Sequence, residues 1–162
     1  FAIRDPAGFL NSAYGQVMMG GHVVAPDEFK AQQPLGDVDW VDVVRRLRAS
    51  PGVNRLTVWR YEDYIPLFPQ ICERLLGDCG IPIAPLPDAV HGGLSCAAVA
   101  NVLAAGPDGD LNPVAARQAW PVGPGNPPYN AFAAEEVALS RAFYAAQVDE
   151  IAAMDGVDLL RQ

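Results

Sequence analysis

Phe1-Ala2-Ile3-Arg4-Asp5-Pro6-Ala7-Gly8-Phe9-Leu10-Asn11-Ser12-Ala13-Tyr14 is the stretch whose reading decides the fold. Phe1-Ala2-Ile3 reads as the tail of a buried strand. Asp5-Pro6 then opens a helix, because an aspartate can cap a first turn and proline's fixed φ suits it. Phe9, Leu10, Ala13, Val17 and Met18 follow at helical spacing, and Gly20-Gly21 ends the helix.

Working outward, the next strand is the clearest in the chain. Leu56-Thr57-Val58-Trp59 is β-branched and aromatic and comes directly after the Ser50-Pro51-Gly52 turn. Arg60-Tyr61-Glu62-Asp63 stands at its carboxyl end. Leu67 to Leu76 reads as a helix with Leu67, Ile71 and Leu75 on one face and Gly77 as its stop. Between the two strands, a short helix begins at Ala25-Pro26 and stops before Pro34. Another follows Asp39, with Trp40, Val43, Val44 and Leu47 on its apolar face and Arg45, Arg46 and Arg48 on a solvated one.

Further on, Pro82, Pro85 and Pro87 form an extended connector towards His91. Ser95 caps a small-residue helix through about Ala105, and a short helix runs from Asn112-Pro113 to Trp120. Pro121 to Asn130 is too rich in Pro and Gly for regular structure. A last helix spans about Ala131 to Met154. Its Phe132, Leu139 and Phe143 form one apolar stripe and Val137, Tyr144, Val148 and Ile151 its neighbour, a width expected to pack on the domain body. Two short strands interleaved with helices define a helix-rich α/β class. The expectation is a single domain over residues 1–162, with Pro/Gly-rich connectors at about 80–94 and 121–130. Two strands are too few for a stable sheet, so the others are expected from an upstream segment or another chain.

Composition narrows the function. A chain of 162 residues, 51% hydrophobic and 19% charged, can bury a core without covalent staples. The net charge of −8 argues against a nucleic-acid surface, which needs a basic face. Lys30 is the only lysine among 11 basic residues, leaving ten arginines, so any phosphate or sulfate site is a local arginine site. Cys72, Cys79 and Cys96 lack a repeated metal spacing, and an odd number points to reduced, buried thiols in a cytoplasmic protein, with a Cys72–Cys79 bridge left open. No apolar run reaches the roughly 18–20 residues of a membrane span.

The order strand, Arg4-Asp5-Pro6, helix, Ser12, with Phe9 and Tyr14 in place, resembles the second nucleotide-binding element of the sulfotransferase superfamily. The resemblance implies a P-loop-type parallel-sheet fold, of which this chain is the carboxyl-terminal portion. It implies that Arg4 and Ser12 hold the 3′-phosphate of 3′-phosphoadenosine-5′-phosphosulfate, the sulfate donor. A guanidinium at a strand's carboxyl end offers a planar fork of donors suited to phosphate oxygens. Val58-Trp59-Arg60-Tyr61-Glu62-Asp63-Tyr64 is similar to a later strand of the same family, in which Glu62 and Asp63 cap a helix or bind an arginine rather than catalyse. The remainder resembles a bacterial branch of sulfotransferase-like proteins. There the family's Arg-x-Gly-Leu-Ser segment corresponds to Val90-His91-Gly92-Gly93-Leu94-Ser95, with Val90 or His91 where the arginine is expected.

The family's Gly-rich, Lys-bearing loop and its acceptor-activating base do not appear in these residues. Gly92-Gly93 and Gly123-Pro124-Gly125 lack both the lysine and a preceding strand. His22 and His91, the only histidines, occupy other places, and the catalytic residues are unknown. Glu135-Glu136 and Asp149-Glu150 read as a solvated helix face rather than an acid/base pair. The resemblance therefore implies that the complete protein transfers a sulfuryl group from the donor to a hydroxyl acceptor, such as a carbohydrate. The alternatives are a non-catalytic structural or interaction subunit derived from that fold, or an anion-binding module using only Arg4 and Ser12. Partners would be the nucleotide and its acceptor, or a protein chain completing the sheet.

Overall fold

The computed structural model describes residues 1–77, 80–85, 93–107 and 109–162. Cys79, Pro87, Val90, His91 and Gly92, each singled out above, lie outside the described residues. In chain order the elements are β1 (Ala2–Ile3), α1 (Pro6–Met19), α2 (Pro26–Gln32), α3 (Trp40–Ala49), β2 (Leu56–Arg60), α4 (Tyr64–Leu76), α5 (Cys96–Ala105), α6 (Pro113–Ala119), α7 (Ala134–Ala152) and β3 (Val157–Leu160). Short 3-10 turns occupy Leu35–Asp37 and Tyr61–Asp63. The chain forms two compact units: Phe1–Asp5, Val38–Ala89 and Arg141–Gln162 make the first, and Pro6–Asp37 and Val90–Ser140 the second.

The first unit is a mixed α/β layer structure on a parallel sheet ordered β1-β2-β3. Successive strand side chains point to opposite faces. Leu56 and Val58 of β2, Val157 and Leu159 of β3, and Ile3 of β1 therefore share one face. They pack with Trp40, Val41 and Val44 of α3 and with Tyr144, Val148 and Ile151 of α7. Trp59 and Leu160 point the other way and pack with Tyr64, Leu67 and Ile71 of α4. Helices thus cover both faces, as parallel strands require to be buried.

The sheet corrects one expectation. Its third strand comes from this chain's own residues 157–160, aligned as Leu56↔Val157 through Trp59↔Leu160. Four residues, one of them the charged Asp158, are too few for a period to be read from sequence. Asp158 is held by Arg55 at 3.2 Å and Arg74 at 3.1 Å.

Three apolar faces also differ from expectation. The α4 helix begins at Tyr64, a turn early, and Leu75 is 69% exposed, because Leu67 and Ile71 already take up the contacts that β2 and β3 supply. On α7, Tyr144, Val148 and Ile151 are buried, while Leu139 (73% exposed) and Phe143 (44%) are not. Of the first stripe only Phe132, which precedes the helix, is buried. On α1, Tyr14 rather than Phe9 is buried, next to Leu10 and Met18.

The second unit is helical. Tyr14 of α1 packs against Phe29 of α2 and Tyr129, with ring centroids at 5.1 and 5.8 Å, and its hydroxyl donates to the Val24 carbonyl at 2.9 Å. Burial, with Tyr129 beside it, pushes the Tyr14 hydroxyl up to about 12. Asn11 fastens the irregular 121–131 segment to α1: its amide donates to the Tyr129 carbonyl and its oxygen accepts from the Ala131 N–H. Ser95 caps α5 by accepting from the Ala98 N–H, and its hydroxyl donates to the Trp120 carbonyl. Asn112 caps α6 from a Pro-first turn. The Ser95 cap and the Asn112-Pro113 helix start were legible in the sequence.

Candidate functional site

Parallel pairing places the carboxyl ends of neighbouring strands side by side. Ile3, the last residue of β1, is opposite Arg60, the last of β2, so Arg4 and Tyr61 leave the sheet together. The Arg4 guanidinium carbon lies 4.6 Å from the centre of the Tyr61 ring. That distance is within cation–π range, and the tyrosine is 52% exposed. The carboxyl edge of a parallel sheet is the usual place for a ligand in α/β proteins.

The main chain beneath this pair is held firmly. The Arg4 carbonyl accepts from the Trp40 indole N–H at 2.7 Å, and the Asp5 N–H donates to Glu62 Oε1 at 2.9 Å. Glu62 Oε2 accepts from the Tyr144 hydroxyl at 3.2 Å. Burial first, and then the Glu62 carboxylate, push the Tyr144 hydroxyl well above the usual tyrosine range. Neighbouring Asp63 is buried and accepts from Arg60 Nε at 2.6 Å and from Gln162 Nε2 at 3.4 Å. That hydrogen bond to Asp63 holds the Arg60 guanidinium above its ordinary value. Both acidic residues of this turn are thus engaged in hydrogen bonds and ion pairs.

Arg45, Arg46, Arg55, Arg60, Arg74 and Arg161 each pair with a carboxylate. Arg4 pairs with none among the described residues. Arg48, Arg117 and Arg141 share that property, but all three stand on helices rather than at a strand end. An arginine braced by an aromatic ring, with no neutralising partner at a sheet's carboxyl edge, can take an anion. Arg4 belongs to the first unit. Ser12 belongs to the second, with its side chain exposed on the seventh residue of α1.

The remaining candidates have structural surroundings. Arg45 pairs with Glu150 and Arg46 with Asp42, while Arg48 donates to the Val53 carbonyl at 2.7 Å. Glu136 accepts from the Ala133 N–H at 2.7 Å at the start of α7 and pairs with Lys30, the reach-back of a capping box. Asp149 pairs with Arg161 at 3.6 Å. Gly123 and Asn126 bond each other's main chains across the Gly-Pro-Gly turn, so those N–H groups are not free to cradle a phosphate. His22 is exposed beyond the end of α1. Against the expectation of buried thiols, Cys96 is exposed and Cys72 half-buried, both free, because Cys96 opens a helix and Cys72 sits on the flank of α4. Among the described residues, no group of three or more His, Cys, Asp or Glu could hold a metal ion. No described helix is long and apolar enough to cross a membrane.

Trp40, Tyr61 and Tyr144 carry the geometry around Arg4; the sequence pattern gave Trp40 and Tyr144 only packing roles and Tyr61 no role of its own. Tyr61 had a usable signal: residues that follow adjacent parallel strands emerge side by side. The 82-residue separation between Tyr144 and Glu62 left none. Comparison with protein-family models, with curated proteins and with solved structures found no match to this chain.

Proposed function

We propose that this chain is the carboxyl-terminal portion of a sulfotransferase-like protein of P-loop-type fold, and that Arg4 and Ser12 grip the 3′-phosphate of 3′-phosphoadenosine-5′-phosphosulfate. In the complete protein the sulfuryl group passes to a hydroxyl acceptor, for which a carbohydrate is the first candidate. One observation carries the reading. Arg4 ends a parallel strand, is braced by Tyr61, and has no carboxylate partner among the described residues. The order strand, Arg4-Asp5-Pro6 and helix agrees with the resemblance. Sulfuryl transfer itself depends on positioning and charge stabilisation around the moving group, and these residues contain no Gly-rich lysine loop to supply them. No chemical step is therefore assigned to residues of this chain.

The test is a calorimetric titration of 3′-phosphoadenosine-5′-phosphate against the wild type, Arg4→Ala and Ser12→Ala, with adenosine 5′-monophosphate as the ligand lacking the 3′-phosphate. Loss of the guanidinium should weaken the bisphosphate by about tenfold or more and leave the monophosphate unchanged. Equal affinity of wild type and Arg4→Ala for the bisphosphate removes Arg4 from the site. A second reading, a non-catalytic interaction subunit, is favoured by exposed Ile65, Leu75, Leu76 and Ile81 in the first unit. It predicts a stable complex with a partner chain and no nucleotide binding.

A further inference from the structure

We infer that Glu62, backed by Tyr144, is a positioning residue for Arg4; the nucleotide reading above enters only to name the anion that Arg4 meets. The Arg4 carbonyl and the Asp5 N–H belong to one peptide plane. Trp40 Nε1 donates to its oxygen at 2.7 Å and Glu62 Oε1 accepts from its N–H at 2.9 Å. A plane held at both poles cannot turn without breaking one of those bonds. The direction in which the Arg4 side chain leaves the main chain is therefore fixed.

Both holders are themselves held by one face of α7. Tyr144 donates to the second oxygen of Glu62 at 3.2 Å. One turn on, Gln147 Oε1 accepts from the Trp40 main-chain N–H at 2.6 Å, and Gln147 Nε2 donates to the Val38 carbonyl at 3.0 Å. Residues three apart share a helix face, so Tyr144 and Gln147 reach the two poles of the peptide from one surface. Gln147 and Tyr144 are both buried, and the Gln147–Trp40 bond with them, whereas Glu62 is exposed and its bond to Asp5 lies at the surface. Tyr61, the residue before Glu62, lies under the guanidinium. One short turn after β2 thus sets both the backbone and the cation.

Glu62 acts on the anion in two opposed ways. Its negative charge opposes an anion at Arg4, and its hydrogen bonds favour one by orienting the arginine in advance. Glu62→Gln separates them: the amide oxygen still accepts from Asp5, the amide N–H can donate to the Tyr144 oxygen, and the charge is gone. Glu62→Ala removes charge and hydrogen bonds together.

The experiment uses the full chain, isotopically labelled, without ligand and then with 3′-phosphoadenosine-5′-phosphate or adenosine 5′-monophosphate. In Glu62→Ala, the Asp5 amide should lose its protection from hydrogen exchange and the Arg4 Nε–H resonance should move. Affinity for the bisphosphate should fall about tenfold, with the monophosphate unaffected. Glu62→Gln should keep the wild-type resonances and bind at least as tightly. In an Arg4→Ala background Glu62→Ala should cost nothing more. Tyr144→Phe removes a single hydroxyl and should move the same two resonances, so it carries the comparison where Glu62→Ala does not fold. Unmoved Asp5 and Arg4 resonances in a folded Glu62→Ala or Tyr144→Phe protein overturn the inference. Tighter bisphosphate binding by Glu62→Ala overturns it as well, since charge alone would then decide. Moved resonances with equal bisphosphate affinity in wild type and Arg4→Ala sink the nucleotide reading and leave the positioning role standing.

Discussion

Replacing Gly156 by alanine tests how the third strand is delivered. Gly156 has φ of 74°, and its carbonyl accepts from the Leu56 N–H at 2.9 Å, starting the ladder between β2 and β3. A Cβ at this position would overlap the Arg48 guanidinium. Left-handed backbone costs a non-glycine residue roughly 1–2 kcal/mol. Arg48 can swing clear only by giving up its 2.7 Å bond to the Val53 carbonyl. A hydrogen bond to a charged group is worth roughly 1.5–3 kcal/mol. The loss is partly offset, because the Arg48 Nε is buried without a partner among the described residues and would reach water on leaving. The net destabilisation is about 2–4 kcal/mol, which in a chain of this size lowers the melting temperature by roughly 5–15 °C. Circular dichroism melts and urea titrations would measure it. In an Arg48→Ala background the clash disappears and only the backbone part, about 1–2 kcal/mol, should remain. A Gly156→Ala protein that melts with the wild type, or whose loss is unchanged by Arg48→Ala, refutes the reasoning.

Two further predictions concern α7. Ile151 is fully buried between α3 and the sheet, so Ile151→Ala should cost about 2–5 kcal/mol, whereas Leu139→Ala on the exposed stripe should stay within about 0.5 kcal/mol of wild type in denaturant titrations. If Leu139→Ala costs as much as Ile151→Ala, the assignment of faces is wrong. At the start of α7, the Ala133 N–H, and to a lesser extent Lys30, hold the Glu136 carboxyl below its ordinary value of 4.5. A carboxyl lowered in the folded state binds fewer protons there than in the unfolded chain. Its contribution is complete above 4.5 and is lost as pH falls through the lower folded value. The stability gap between wild type and Glu136→Gln should accordingly shrink between neutral pH and pH 3. A gap that is flat with pH assigns the effect to something other than this charge.

Legibility followed the range of the interactions. Asp39 accepts from the Asp42 N–H, Ser95 from Ala98 and Asn112 from Val114; each cap involves neighbours two or three residues apart. The Pro and Gly placements that stop α1, α3 and α4 act over similar distances. The apolar stripes were legible as stripes, but a period does not say which stripe another element will cover. Hence Tyr144 and Ile151 were placed correctly while Leu75, Leu139 and Phe143 were not. At the candidate site, the arginine was legible from the strand-turn-helix pattern around it. Its surroundings were not, because Tyr61 is 57 residues from Arg4 in sequence and Trp40 is 36.

The sequence by itself determined the α/β class, most helix boundaries and their caps, and Arg4 as the arginine that follows the first strand. Those properties rest on backbone preferences and hydrogen bonds within a turn or two. Only the tertiary structure decided that residues 157–160 complete a three-stranded parallel sheet, and that one peptide beside Arg4 is held at both ends by side chains braced from α7. Strand pairing and long-range hydrogen bonds depend on which surfaces meet when the chain closes, and adjacent residues carry no record of that.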